Sequence, residues 1–122
     1  MANHNKLGKE GEKIATDYLR KKGYSIRHCN WKAGNLELDI VAETKDYLVI
    51  VEVKTRSTEY FEHPKDAINN GKIKRIVHAT EEYIYLFNIK KEVRFDVIAL
   101  LPNKNNGYKI EHIEDAFLPP VN

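Results

Sequence analysis

Two periodicities of apolar residues divide the chain of 122 residues into helices and strands. Apolar residues recur every three or four positions over 6–23 and over 65–87, which is the spacing of one helix face. Pro64 can open the second helix at its first position, and Asn69-Asn70-Gly71 can break it into two pieces. Alternating apolar and polar residues predict strands over 24–31, 35–43, 47–55, 92–101 and 108–113. The order α-β-β-β-α-β(-β) predicts an α/β domain in which helices cover a mixed sheet.

Composition indicates one ordinary globular domain. Apolar residues make up 42% and charged residues 31%, and the net charge of +2 does not by itself indicate a nucleic-acid-binding protein. A single cysteine, Cys29, excludes an internal disulfide and fits a reducing compartment, and the five histidines lack the spacing of a zinc site. Neither a signal peptide nor a membrane-spanning apolar run is present. We therefore expect one cytoplasmic domain over 1–122, with its core at about 7–113, a tail at 114–122 and no membrane partner.

The strands over 35–43 and 47–55 each have an apolar face and a face that becomes charged. A two-residue turn at Lys45-Asp46 would join them as a hairpin. On the apolar face, Leu38 and Ile40 of the first strand would then oppose apolar residues of the second. The register predicts four pairs, two apolar and two charged: Ile40 with Val51, Leu38 with Val53, Asp39 with Glu52, and Glu37 with Lys54.

The predicted pair of Asp39 and Glu52 suggests a metal site. Directly opposed side chains have Cβ atoms about 4.5–5.5 Å apart, and two carboxylates at that separation repel each other. A divalent cation between them removes the repulsion, and Mg²⁺ commonly uses one or two carboxylates together with waters and substrate phosphate. Lys54, one pleat further along, could assist a water or neutralise a phosphate. The alternative is that these charges form the solvated face of an antiparallel sheet.

A short motif and a longer set of sequence segments both resemble known nucleases. Asp39, followed on the next strand by Glu52-Val53-Lys54, resembles the half-motif of the PD-(D/E)xK nuclease superfamily, which has a restriction-endonuclease-like fold. The chain from about Gly8 to Leu100 resembles the bacterial UPF0102, or YraN, family of predicted endonucleases, which is distantly similar to archaeal Holliday junction resolvases. The segments that carry this resemblance are, in order, GKEGEKIATDYLRKKGY, NW, LELDIVA, VEVKTR and RFDVIAL.

The resemblance implies a role for each matching residue. Asp39 and Glu52 would be metal ligands for Mg²⁺ or Mn²⁺, with the Val53 carbonyl as a third oxygen, and Lys54 would be the catalytic lysine. Glu12, on the first helix, would approach the metal; the alternative is an exposed acid favoured by the helix dipole. Glu37 would support the site, in a stretch where this chain reads Asn-Leu-Glu-Leu-Asp and the family usually reads Gly-Glu-Ile-Asp-Leu. The proline of the superfamily name is absent, because a leucine precedes the aspartate.

The segment over 54–78 is more basic than the whole chain, with six Lys or Arg against three acids. We expect Arg56 and Lys72 to contact a phosphate backbone without reading sequence. Lys74, Arg75, Tyr60 and Phe61 are interpreted as ordinary surface residues, and Arg94 with Asp96 as a structural ion pair.

Three functions follow from these patterns. The first is a metal-dependent endonuclease that acts on DNA phosphodiesters, with branched or structured DNA among its substrates. The second is a nucleic-acid-binding module that keeps the fold without catalysis, and the third is a protein-interaction domain with an acidic face. Because resolvases act as dimers, the resemblance also leaves a homodimer open, although no apolar patch in the sequence identifies an interface.

Overall fold

The computed structural model describes residues 2–55, 68–103 and 107–117, with side chains from residue 9 onward. The elements are α1 (Ala2–Lys21), β1 (Ser25–Ala33), β2 (Leu36–Glu43), β3 (Tyr47–Thr55), α2 (Asn70–Phe87), β4 (Glu92–Pro102) and β5 (Tyr108–Ile113). The predicted order and the α/β class are confirmed, including the final strand. Neither helix in the described part of the chain is long and apolar enough to cross a membrane.

The five strands form one mixed sheet in the order β1-β2-β3-β4-β5. β3 and β4 are parallel, and every other neighbouring pair is antiparallel. A parallel pair needs a crossover connection, and α2 lies in that connection. The two helices therefore cover opposite faces of the sheet.

A separate core fills the space beneath each helix. The α2-side core includes Leu38, Val41, Leu48, Ile50, Ile76, Tyr83 and Val97. The α1-side core consists of Ala15, Leu19, Ile40, Ala42, Val49, Val51, Ile98 and Leu100. Residues 48–51 alternate between the two cores, as the period of a strand requires.

The β2–β3 hairpin has the predicted register close to its turn. Ile40 pairs with Val51, and the ladder runs from there to Glu43 and Leu48. The Thr44 backbone N–H donates to the Tyr47 carbonyl at 2.9 Å, which closes the two-residue turn. The ladder ends at Ile40, so the predicted pair of Leu38 with Val53 does not form part of it. The expectation that Leu38 shares the face of Ile40 is wrong: Leu38 packs in the α2-side core, because β2 is free to twist where it leaves β3.

The start of α2 differs from the predicted helix over 65–87. Asn69 is the N-cap, and its side-chain oxygen accepts a hydrogen bond from the backbone N–H of Lys72 at 2.9 Å. The Asn-Asn-Gly stretch is therefore where the described helix begins, because an asparagine oxygen satisfies a donor that the first turn leaves without a partner. Residues 56–67, including Pro64, lie outside the described residues. The predicted end at Phe87 is confirmed, and Asn88 follows it in the left-handed conformation.

Gly11 marks a close approach between α1 and the sheet. A Cβ atom at this position would clash with Oγ1 of Thr55 and lie 3.3 Å from Cδ1 of Leu100. The lack of a Cβ at Gly11 therefore leaves room for the Thr55 side chain where α1 lies against the end of β3.

A buried polar cluster joins α1, β4 and β5 on the α1 side of the sheet. Arg94 binds the fully buried Asp96 through two hydrogen bonds of 3.0 and 2.9 Å, which confirms the predicted ion pair. Nε2 of His112 lies 2.7 Å from Asp96, and Nδ1 of His112 lies 3.2 Å from the hydroxyl of Tyr18. Burial alone would raise the pKa of Asp96, but its hydrogen bonds with His112 and Arg94 hold that pKa below its usual value.

Candidate functional site

The β2–β3 hairpin opens at the point where its backbone ladder ends. Beyond Ile40 and Val51, contacts from the side chains of Asp39 and Glu52 replace the backbone hydrogen bonds between the strands. Oδ2 of Asp39 accepts a hydrogen bond from the Val53 backbone N–H at 3.0 Å, and Oε2 of Glu52 lies 3.5 Å from the Asp39 backbone nitrogen. The ladder does not include the predicted pair of Asp39 with Glu52, but these two side-chain contacts bring the residues together.

Glu52 is a carboxylate in an apolar setting. It is only 1% exposed, and the apolar residues before it on its face of β3 lie in the α2-side core. Burial, followed by the nearby charge of Asp39, raises the pKa of Glu52 to about 7, although Lys72 opposes the shift. A proton or a cation is therefore needed to stabilise this side chain in the folded protein.

Two lysines approach the carboxylates from different elements. Nζ of Lys72, in the first turn of α2, lies 3.4 Å from Oε1 of Glu52. Burial, followed by a hydrogen bond with Lys72 and its charge, lowers the pKa of Lys54 to about 8. Burial also disfavours the charge of Lys72, but Glu52 and the bond to Lys54 raise the pKa of Lys72 above its ordinary value. The pair therefore combines a firmly cationic Lys72 with a Lys54 that can lose its proton near neutral pH.

A cleft of about 230 Å³ adjoins the two carboxylates. Its lining residues are Asn35, Leu36, Glu37, Asp39, Glu52, Lys72, Arg75 and Ile76. Arg75 was interpreted from sequence as an ordinary surface residue, yet it borders the cleft. The signal that could have identified it is spacing, since residues three apart share a helix face and Lys72 was already a candidate.

The other predicted site residues lie in three different settings. Glu37 is exposed and lines the cleft, but the β2–β3 ladder does not pair it with Lys54. Glu12 does not line the cleft: it belongs to α1 on the opposite face of the sheet, and its carboxylate accepts a hydrogen bond from Asn30. Arg56 lies outside the described residues.

The donor set of this site fits a hard divalent cation with an incomplete protein shell. Asp39 and Glu52 supply carboxylate oxygens, which Mg²⁺ and Mn²⁺ prefer. Within the described side chains, no group of three or more His, Cys, Asp or Glu could hold a metal ion. Two carboxylates are within the number that Mg²⁺ commonly takes from a protein, because waters can fill its other positions.

Comparison with known sequences places the chain among bacterial relatives that it matches over nearly its whole length. A sequence model described as "Uncharacterised protein family UPF0102" matches residues 11–100. The UPF0102 protein of Phocaeicola vulgatus is 51% identical over 121 residues, which cover 99% of both chains, and that of Bacteroides thetaiotaomicron has the same identity and coverage. The UPF0102 protein of Porphyromonas gingivalis is 43% identical over 118 residues, or 96% of this chain and 87% of that protein. The predicted resemblance to the UPF0102 family is confirmed, and the chain belongs to that family.

Proposed function

We propose that this protein is a metal-dependent endonuclease that hydrolyses DNA phosphodiesters. One observation carries the proposal: Asp39, Glu52 and Lys54 gather at the open end of a hairpin, beside a cleft with two more cations. This is the combination that phosphodiester hydrolysis needs, because carboxylates hold a metal and cations stabilise the charge that grows on phosphate. A purely solvated charged face would not bury Glu52 to 1% exposure.

Asp39 and Glu52 would hold Mg²⁺ or Mn²⁺, with the Val53 carbonyl as a third protein oxygen. When bound, the metal would stabilise the charge on the phosphodiester and make a bound water more acidic. Glu37, at the edge of the cleft, would orient waters through hydrogen bonds.

Lys54 would accept the proton of the attacking water, because its lowered pKa lets the amine be neutral near physiological pH. Water then adds to phosphorus, one P–O bond breaks, and the leaving oxygen takes a proton from solvent. Lys72 and Arg75 would contact the phosphates that flank the scissile bond. Such contacts do not recognise the base sequence, so the first substrates to test are duplex and branched DNA of arbitrary sequence.

The test combines metal binding with cleavage. Wild type, Asp39→Ala and Glu52→Ala are titrated with Mn²⁺ by calorimetry, and each is incubated with labelled duplex and four-way-junction DNA. We expect both substitutions to abolish Mn²⁺ binding and cleavage, while circular dichroism remains that of the folded protein. Cleavage that survives Asp39→Ala in a nuclease-free preparation would overturn the proposed mechanism.

A second candidate function is a nucleic-acid-binding module without catalysis. The position of Glu12 away from the cleft lining supports it, because within the described side chains no group of three or more carboxylates gathers around a metal position. It predicts DNA binding that weakens steeply with salt and no cleavage in Mg²⁺ or Mn²⁺. The same experiment distinguishes the two functions.

A further inference from the structure

The cation beside Glu52 in this structure belongs to the protein itself. Lys72 is the described residue whose side chain forms an ion pair with Glu52, at 3.4 Å. The two side chains differ greatly in exposure, since 35% of the Lys72 side chain is exposed and only 2% of the Glu52 side chain is. Glu52 is therefore fixed in the site, whereas the ammonium group reaches it from the solvent side.

The backbone of Lys72 is held while its side chain can move. Asn69 accepts a hydrogen bond from the Lys72 backbone N–H, which fixes the first turn of α2. The flexible four-carbon stem then lets the ammonium group reach either the carboxylate or an anion in the adjoining cleft. This geometry lets a single charge move between two positions without moving the helix.

We propose that Lys72 is a built-in counter-ion that competes with the metal for Glu52. This inference rests on the proposed metal site. A divalent cation next to Glu52 would repel the ammonium group, so the protein without DNA would bind the metal only after displacing Lys72. A DNA phosphate in the cleft offers Lys72 another anion, so substrate binding and metal binding strengthen each other. By thermodynamic linkage, DNA raises the affinity for the metal by the same factor as the metal raises the affinity for DNA.

The test is a Mn²⁺ titration of the full chain without DNA, at about pH 8, where carboxylates are normally ionised. Lys72→Met and Lys72→Gln remove the counter-ion, and Lys72→Arg keeps a positive charge. Lys74→Met is the matched control, because Lys74 is exposed on the same helix and does not line the cleft. We expect the two neutral variants to bind Mn²⁺ at least about fivefold more tightly than wild type, whereas Lys72→Arg and Lys74→Met stay close to wild type.

Two results would overturn the inference in different ways. Wild type that binds Mn²⁺ as tightly as both neutral variants, or more tightly, would show that Lys72 does not compete, and the metal site itself would stand. No binding by any variant up to millimolar Mn²⁺, either alone or with a DNA duplex present, would overturn the proposed metal site and the inference together. Having two neutral variants keeps the test valid if one of them fails to fold.

Discussion

The side chain of Asp39 accepts a hydrogen bond of 3.0 Å from the backbone N–H of Val53. This bond joins β2 to β3 just where their backbone ladder ends. Asp39 therefore has a structural role in addition to its proposed role as a metal ligand. Replacement of Asp39 by asparagine can separate the two roles, because the amide oxygen can accept the same hydrogen bond but carries no negative charge.

We expect Asp39→Asn and Asp39→Ala to abolish cleavage equally and to differ in stability. Loss of a direct metal ligand should reduce kcat by more than about 100-fold, beyond the usual effect of removing an outer-shell partner. Asp39→Ala should lower the free energy of unfolding by about 1–2 kcal/mol, because it removes the acceptor for Val53, whereas Asp39→Asn keeps one. Urea denaturation and single-turnover cleavage measure the two effects. Equal stability of both variants would show that the hydrogen bond contributes nothing.

Glu52 should make the metal-free protein less stable as the pH rises. Its pKa is about 7 in the folded protein against an ordinary value of 4.5, so between these values the folded state binds more protons than the unfolded state. Glu52 therefore makes its full contribution to the free energy of unfolding below pH 4.5, and this contribution is lost as the pH rises towards and through 7. Relative to Glu52→Gln, we expect wild type to lose on the order of 2–3 kcal/mol over this range.

The measurement is urea denaturation in EDTA at several pH values, with Glu52→Gln alongside as the control for every other titrating group. A constant difference between the two proteins across the range would contradict the raised pKa. Addition of Mn²⁺ at neutral pH should restore part of the lost stability, because the metal binds the ionised carboxylate.

Lys54 should set the pH dependence of cleavage. Its pKa of about 8 means that the neutral amine is scarce in acid, so kcat should rise with pH and level off above about pH 8. Lys54→Arg keeps a positive charge that is not lost at these pH values, and we expect slow cleavage without this inflection. If Lys54→Arg shows the same inflection, another group is the proton acceptor.

Arg75 should contribute to DNA affinity through a phosphate contact. It lines the cleft one turn of α2 beyond the first-turn lysine, where a phosphate contact would be independent of sequence. We expect Arg75→Met to lower the slope of log K against log[salt] by about 0.9, measured by fluorescence anisotropy in EDTA so that no cleavage occurs. Lys90→Met is the charge-matched control, because Lys90 is exposed beyond the opposite end of α2. An equal loss in both variants would indicate nonspecific attraction.

Asp96 should affect stability but not the chemistry of the cleft. The carboxylate is fully buried between Arg94 and His112, on the face of the sheet away from α2. Replacement by asparagine removes the buried charge that pairs with Arg94 and leaves this guanidinium with the more exposed Glu114 as its charged partner, so we expect a loss of about 3 kcal/mol in the free energy of unfolding. The value of kcat for the folded fraction should be unchanged. Lost cleavage in a variant of normal stability would show that the cluster acts on the site.

The hairpin and its two carboxylates could be predicted because their signals are local. Ile40 and Val51 are apolar, two strands with a short turn between them have few possible registers, and each strand has a period of two. The register near the turn is therefore readable from the sequence. The end of the ladder at Ile40 cannot be read from the sequence, because the divergence of two strands depends on what packs against them.

The contacts made by the helices lay beyond sequence reasoning. Lys72 reaches Glu52 from 20 positions away, and this depends on how α2 crosses the sheet, which periodicity does not determine. Arg75 is different, because its spacing of three residues from Lys72 on one helix face is a signal that the sequence does contain. Glu12 was carried over from a family resemblance, and its contact with Asn30 depends on the face that α1 covers.

Gly11 has no side chain and takes no part in the proposed chemistry, yet it determines how closely α1 lies against Thr55. Thr55 follows Lys54 directly on β3, so α1 supports the end of this strand from one face while α2 brings Lys72 towards it from the other. The distance between Lys54 and Lys72 therefore depends on the positions of both helices. An added methyl group at Gly11 would press on the Thr55 side chain at the end of β3 and would shift Lys54, the proposed catalytic lysine, without changing the charge of any residue.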